Sequence, residues 1–278
     1  MPTVARERLN CIMKQSPSRT TKNRTRGRAF GAGALAFVAG LSMACATVGA
    51  REVPDRTDTV ILLHGMWRDV GAMRGIESEL ADRGYNTINI SYPSTDYTIE
   101  ELAVRYLHPA YEAASKGEGQ VHIVTHSMGG ILARYYLDTY PASNLGRVVM
   151  LAPPNQGVEM ADRYGHWSLF RWATGPAGLQ LGTGPGSLPR ALGPVDYEVG
   201  VIAGSKGRNL LSLMIPGQDD GLVSVASARV EGMSDFLLLD QNHYYIKHDD
   251  QAIAQTIHFL ESGRFAHKSS NAVARAER

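Results

Sequence analysis

Eleven residues, Gln120 to Gly130 (QVHIVTHSMGG), limit what this chain can fold into more than any other stretch. Val121 to Val124 is short and β-branched, the composition of a parallel strand covered on both faces. Ile131 to Leu137 has helical content, with apolar residues near i, i+4 spacing. A sharp turn must join the two, and a serine stands at its apex. Thr125-His126-Ser127-Met128-Gly129 is a near match to G-x-S-x-G, which sets a serine on a strained strand-to-helix turn. Such a turn brings strand and helix into close approach, so the position two after the serine must be small. Gly129 meets that need, and Gly130 lets the helix start pack tightly. Thr125 stands where the other glycine would be and weakens the match. The plainer reading is a buried strand ending in a helix-capping serine, and S-x-G alone would favour it. The rest of the chain decides.

Thr59 to Leu63 is another continuous apolar run, ending in His64-Gly65. A helix is expected over Met73 to Arg83, a strand over Asn86 to Tyr92 stopped by Pro93, and an amphipathic helix over Ile99 to Ala114. Arg147 to Leu151 is a further buried strand. Strand patterns return at Tyr197 to Ala203, Leu210 to Ile215 and Phe236 to Leu239, and a last helix covers Asp250 to Glu261. Strands alternating with helices predict an α/β fold, a mostly parallel sheet with helices on both faces. Regularity fails only over 156–195, which is rich in Gly and Pro and carries Trp167, Leu169, Phe170 and Trp172. So long a stretch reads as a cap or insertion, its aromatics either covering a site or packing on the body.

The formal charge of +1 hides an asymmetry: residues 1–50 hold eight basic residues and one acid, Glu7, whereas 51–278 hold twenty basic and twenty-six acidic residues. The acidic balance after position 50 gives no nucleic-acid surface. Six cations from Lys14 to Arg28 precede an uncharged, Ala- and Gly-rich run, Ala29 to Ala50. That is the pattern of a secretory leader, with a cut fitting after Val48-Gly49-Ala50 or at Ala44-Cys45-Ala46, and Met13 an alternative start. An exported, secreted or envelope-associated protein is expected. Both cysteines, Cys11 and Cys45, lie in this leader, so the region after it has no internal disulfide. Cys45 resembles a lipid-attachment site, a route to membrane association, although Ser42-Met43-Ala44 departs from the usual pattern. The expected organisation is a leader over 1–50, one catalytic-size domain over 51–262, and a frayed tail over 263–278.

A serine hydroxyl is a weak nucleophile and needs a base in hydrogen-bond reach, itself oriented by a third group. The acid candidate is Asp220 in Gln218-Asp219-Asp220-Gly221, after the apolar run Leu210 to Ile215, with Asp219 in reserve; turn capping is the plain alternative for either. The base candidate is His243, three residues after the last strand's expected end at Asp240. His248 rivals it, whereas His122 in mid-strand and His258 in the last helix read as structural, and His126 as serving shape. Two donors must meet a developing oxyanion. Met128 N–H, at the start of the helix, is one. Met66 N–H, in the loop after His64-Gly65, is the other, although Met66 and Trp67 would also serve as core.

Taken together, Leu63-His64-Gly65-Met66-Trp67, Thr125 to Gly130, Asp220-Gly221-Leu222-Val223 and Asn242-His243 resemble the α/β-hydrolase superfamily, most closely its small bacterial lipases and esterases. The resemblance spans about residues 58–262, and the joint order of four motifs is far more specific than any one. It implies a Ser127/Asp220/His243 triad, Met66 and Met128 as oxyanion donors, and no chemical cofactor. Some secreted relatives bind structural calcium, but no oxygen-ligand loop marks a metal site in this sequence. Hydrolysis of carboxylic esters or lipids through an acyl-enzyme is the expected activity, with amides or thioesters as alternative substrates. A catalytically silent hydrolase fold that binds a lipid or a protein partner is the reading from another class.

Overall fold

The computed structural model describes residues 56–267. The leader, Cys11, Cys45 and both cleavage positions lie outside the described residues. Six strands form one parallel sheet, in the order β2-β1-β3-β4-β5-β6. They are β1 Thr59–Leu63, β2 Asn86–Ile90, β3 Val121–His126, β4 Leu145–Leu151, β5 Val199–Gly204 and β6 Asp235–Leu239. Helix α1 (Arg74–Ala81) follows β1. The helix expected after β2 is α2 (Ile99–Leu102) and α3 (His108–Ala114), joined by a π-turn. Thr98 opens it with a capping box closed by Glu101. Helix α4 (Met128–Thr139) leaves the Ser127 turn, and α5 (Glu159–Tyr164), α6 (Ser168–Leu179) and α7 (Leu188–Ala191) make up the segment over 156–195. Short α8 (Val225–Ala228) and the long α9 (Asp250–Ser262) flank β6 in sequence.

Side chains alternate across the sheet, and each face buries its own layer. Ile61, Leu63, Ile123, Val148 and Val201 pack with the α2–α3 segment and with Ile131, Leu132 and Tyr136 of α4. Val60, Leu62, Val124, Val149 and Ile202 pack on the other face with Ile76 and Leu80 of α1 and Ile257, Phe259 and Leu260 of α9. Nearly every one of these residues is fully buried, which is why the strands read as unbroken apolar runs rather than alternating ones.

One expectation is corrected. Leu210 to Ile215 is not a strand: Leu210–Met214 is a 3₁₀ turn, with the Asn209 side chain accepting from Ser212 N–H at its start. Leu210 and Leu213 are 80% and 81% exposed, so the apolar run has no sheet face to bury. Asp220 therefore sits in the long excursion between β5 and β6, not directly behind a strand. The first residues after α9 are ordered against the body. Phe265 is buried against Phe259, with ring centroids 5.0 Å apart, and its N–H donates to Asp235 at 2.8 Å. Residues beyond His267 lie outside the described residues.

Candidate active site

β1 lies between β2 and β3, so the connections after β1 and β3 leave the sheet at a topological switch point, where open α/β sheets place their working groups. Ser127 stands there at φ 55°, ψ −127°, a backbone conformation non-glycine residues rarely adopt. Its own N–H is tied to the Leu151 carbonyl at the end of β4, at 2.9 Å. The glycines explain how the turn fits. A Cβ on Gly129 would come 2.7 Å from the Leu63 carbonyl oxygen, and one on Gly65 would come 2.9 Å from Ser127 Cβ. The β1 loop and the serine turn thus touch through hydrogen atoms alone. Thr125, where the motif has a glycine, is fully buried, and its hydroxyl has no hydrogen-bond partner among the described residues.

The three residues singled out by chain order meet at this turn. His243 Nε2 lies 2.9 Å from Ser127 Oγ, and His243 Nδ1 lies 2.8 Å from Asp220 Oδ2. The other oxygen, Asp220 Oδ1, accepts from Leu222 N–H at 3.0 Å and Val223 N–H at 2.8 Å. These two amides fix the plane of the carboxylate. The tautomer follows: a carboxylate can only accept, so Nδ1 carries the proton and Nε2 is free to take one from the serine. The His243 backbone is held as well, its N–H donating to the Asp220 carbonyl at 2.9 Å. Asp219 is turned to a different task. Its Oδ1 accepts from Gly221 N–H and Ser212 Oγ, both at 2.7 Å, which caps the turn that presents Asp220. His248 lies in a 3₁₀ turn further on and is exposed.

His126 acts on shape, as expected. Its Nε2–H donates to the His243 carbonyl at 2.9 Å, and burial pushes its pKa well below the ordinary value, so it remains neutral. His64 is also buried and lowered by burial. It stacks on Tyr92 at 4.1 Å between ring centroids, and the Tyr92 hydroxyl donates to the His64 carbonyl. Ser94 Oγ accepts from Trp67 N–H at 3.0 Å. Tyr92 and Ser94 were not singled out from sequence; they straddle Pro93, which reads there only as a strand stop. Together they fix the loop that carries Met66. Neither the Met66 nor the Met128 amide has an acceptor among the described residues, and both flank the serine turn. Two unengaged N–H groups beside a nucleophile are what a developing oxyanion needs.

The segment over 156–195 does not roof the site. The cavity at Ser127, about 560 Å³, is lined by Met66, Trp67, Leu211, Leu222, Tyr244 and Tyr245 around the polar groups, and by no residue of that segment. Trp167, Leu169 and Trp172 face solvent, and only Phe170 of the four packs against the core. The segment instead braces the loops after β1 and β2. Trp67 Nε1–H donates to the Ala173 carbonyl, and Gly175, at φ 62°, lies so close to Thr95 that a Cβ there would overlap its carbonyl oxygen. No group of three or more His, Cys, Asp or Glu side chains converges to hold a metal ion among the described residues.

The chain belongs to the alpha/beta hydrolase family, whose family profile matches residues 60–267. Solved structures of the same fold include the mature form of lipase BlEst2 from Bacillus licheniformis, 20% identical over 76% of this chain and 94% of that one, with a TM-score of 0.56. Phospholipase PlaB from Legionella pneumophila is 19% identical over 79% of this chain and 61% of that one, with a TM-score of 0.57. Lipase B from Aspergillus fumigatus is 18% identical over 76% of this chain and 54% of that one, with a TM-score of 0.55. At this identity the likeness establishes the fold. No curated protein matches the sequence.

Proposed function

We propose that the protein is a serine hydrolase that cleaves carboxylic esters. The observation that carries this is the unbroken series Ser127 Oγ, His243, Asp220, with steps of 2.9 and 2.8 Å, at the floor of an open cavity. Ser127 attacks the ester carbonyl while His243 Nε2 takes its proton. The imidazolium so formed is stabilised by Asp220, whose second oxygen stays bound to the Leu222 and Val223 amides. The negative oxygen of the tetrahedral intermediate turns toward the Met66 and Met128 amides. His243 then gives its proton to the departing alcohol, and the resulting acyl-enzyme is hydrolysed by a water that His243 deprotonates. The apolar lining from Met66, Trp67, Leu211 and Leu222 suits an acyl chain.

The basic leader and the small-residue run to Ala50 support export as part of the same reading, with Cys45 a second route to the envelope. The deciding experiment is labelling of the full chain with a fluorophosphonate probe, followed by peptide mapping. Modification at Ser127, abolished in Ser127→Ala, supports the reading; a folded wild type that takes no label would return the fold to a binding role. A panel of matched esters, thioesters and amides then ranks the leaving groups.

A further inference from the structure

A second cleft, about 280 Å³, opens between the loop after β1 and the segment that follows His243. Trp67, Arg68 and Tyr244 line both this cleft and the catalytic cavity, so the two spaces share a wall. Its charge is unusual. The Tyr244 ring has two cations within reach: Lys247 Nζ at 4.0 Å and the Arg68 guanidinium carbon at 4.8 Å from its centroid. Lys247 is 1% exposed, yet neither it nor Arg68 has a carboxylate within 4.0 Å among the described residues. Lys247 Nζ donates to the Tyr244 carbonyl, which uses one of its three protons. Asp69, the acid in the same cleft, has one oxygen occupied by Gly71 N–H at 2.8 Å. Burial and the neighbouring Arg68 push the Lys247 pKa down to about 8, the direction that like charges gathered without a counter-ion produce.

Burying an ammonium beside a guanidinium is costly unless something offsets it. Tyr244 offers only ring and carbonyl, which are neutral. A bound oxyanion would satisfy the remaining Lys247 protons and the Arg68 fork together, as charge-assisted hydrogen bonds. Lys206 and Arg208 extend the positive character along the catalytic cavity, Lys206 sharing its charge with Asp240 at 3.5 Å. Among the described residues, the sole acid lining that cavity is Asp220, already bonded to His243.

We propose that this cleft is an anion subsite, built by Arg68 and Lys247, that holds a phosphate or carboxylate group of an ester whose carbonyl lies at Ser127. The inference rests on the ester-hydrolase reading and narrows its substrates to esters carrying an anionic group. Because Tyr244 directly follows His243, an anion held there also steadies the loop that presents the base.

Two measurements on the full chain test it. The first needs no turnover: thermal unfolding in inorganic phosphate against chloride at equal ionic strength. Phosphate raises Tm in the wild type, and the rise is lost in Arg68→Gln and in Lys247→Met. Arg68 is exposed, so its variant keeps the test open if Lys247→Met fails to fold. The second compares kcat/KM for p-nitrophenyl butyrate, its carboxylate counterpart mono-p-nitrophenyl glutarate, and a short acyl ester of glycerol 3-phosphate. The expected preference for one of the anionic esters is at least tenfold, falling about tenfold in Arg68→Gln, and the favoured anion tells phosphate from carboxylate. Equal rates on all three, with no phosphate-specific rise in Tm, would overturn the inference while leaving the ester-hydrolase reading intact. Phosphate stabilisation without hydrolysis of any ester would instead sink that reading and keep the anion site.

Discussion

The strand ends of β1 and β3 and the helical segment over 156–195 touch each other, yet they are held in opposite ways. At the strand ends Gly129 and Gly65 are pressed against backbone and side chain with no room for a methyl group, and His64 and His126 are buried and bonded, as is Asp220, which the excursion between β5 and β6 brings toward them. Across the Trp67–Ala173 hydrogen bond, the segment shows Trp167, Leu169 and Trp172 to solvent at 54%, 70% and 82% exposure. The difference separates two jobs. Groups at the strand ends are preorganised before substrate arrives, which is what charge stabilisation in a transition state requires. The segment contributes a brace to the β1 loop and an apolar outer face, and it leaves the cavity uncovered.

The largest expected effects belong to the strand ends and the His243 loop that meets them. Ser127→Ala and His243→Ala should each lower kcat by about 10³-fold or more without additivity in the double variant, because the two act as one unit. A His248→Ala variant as inactive as His243→Ala would break the assignment of the base. Next comes the seam between the regions. Gly175→Ala sets a methyl group against the Thr95 carbonyl at a positive φ, so it should cost about 1–3 kcal/mol in denaturant unfolding. Trp67→Phe removes the bond to Ala173 and should cost about 0.5–1.5 kcal/mol, read as a fall in kcat of up to about tenfold with little change in KM. A change in KM alone would mean that Trp67 only lines the cavity.

Acid separates the regions by their buried histidines. His64, His122 and His126 are pushed below their ordinary value of 6.5 by burial, so they stay neutral in the folded protein while the unfolded chain protonates them. The unfolded state then binds more protons, and stability falls as pH drops below about 6.5. A lower urea midpoint at pH 5.5 than at pH 7.5 is expected, with a smaller gap in His126→Asn. The smallest effect belongs to the outer face. Trp167→Ser with Trp172→Ser should change stability by no more than about 0.5 kcal/mol and leave rates on dissolved short esters unchanged. With no roof to lift, the rate should run smoothly through the solubility limit of tributyrin; a sharp rise there would show that the segment moves over the site.

Sequence pattern carried unequally across these regions. β1, β3, β4 and β5 were legible because strands covered on both faces must be continuous apolar runs, and the Ser127 turn because its glycines are sterically obligatory. Leu210 to Ile215 has the same composition without the same burial, so apolar content alone misplaced a strand there. Asn209 was the local sign that the chain turns instead, through its side-chain cap on Ser212. The supports of the β1 loop were hidden for another reason. Tyr92 reaches His64, and Ser94 reaches Trp67, across 28 and 27 residues, through contacts that no local periodicity encodes. Lys247 escaped notice likewise, since a lysine in a sequence gives no sign that it will be buried without an acid.

The central claim is that Ser127 itself carries the acyl group between two half-reactions. Rapid quenching of the full chain with p-nitrophenyl butyrate, followed by intact and peptide mass measurement, tests this directly. The account predicts a butyryl increment on the Ser127 peptide, formed within one turnover together with a burst of p-nitrophenol, and absent from Ser127→Ala. Turnover of the ester by Ser127→Ala at the wild-type rate, or an acyl group found on another residue, would contradict it.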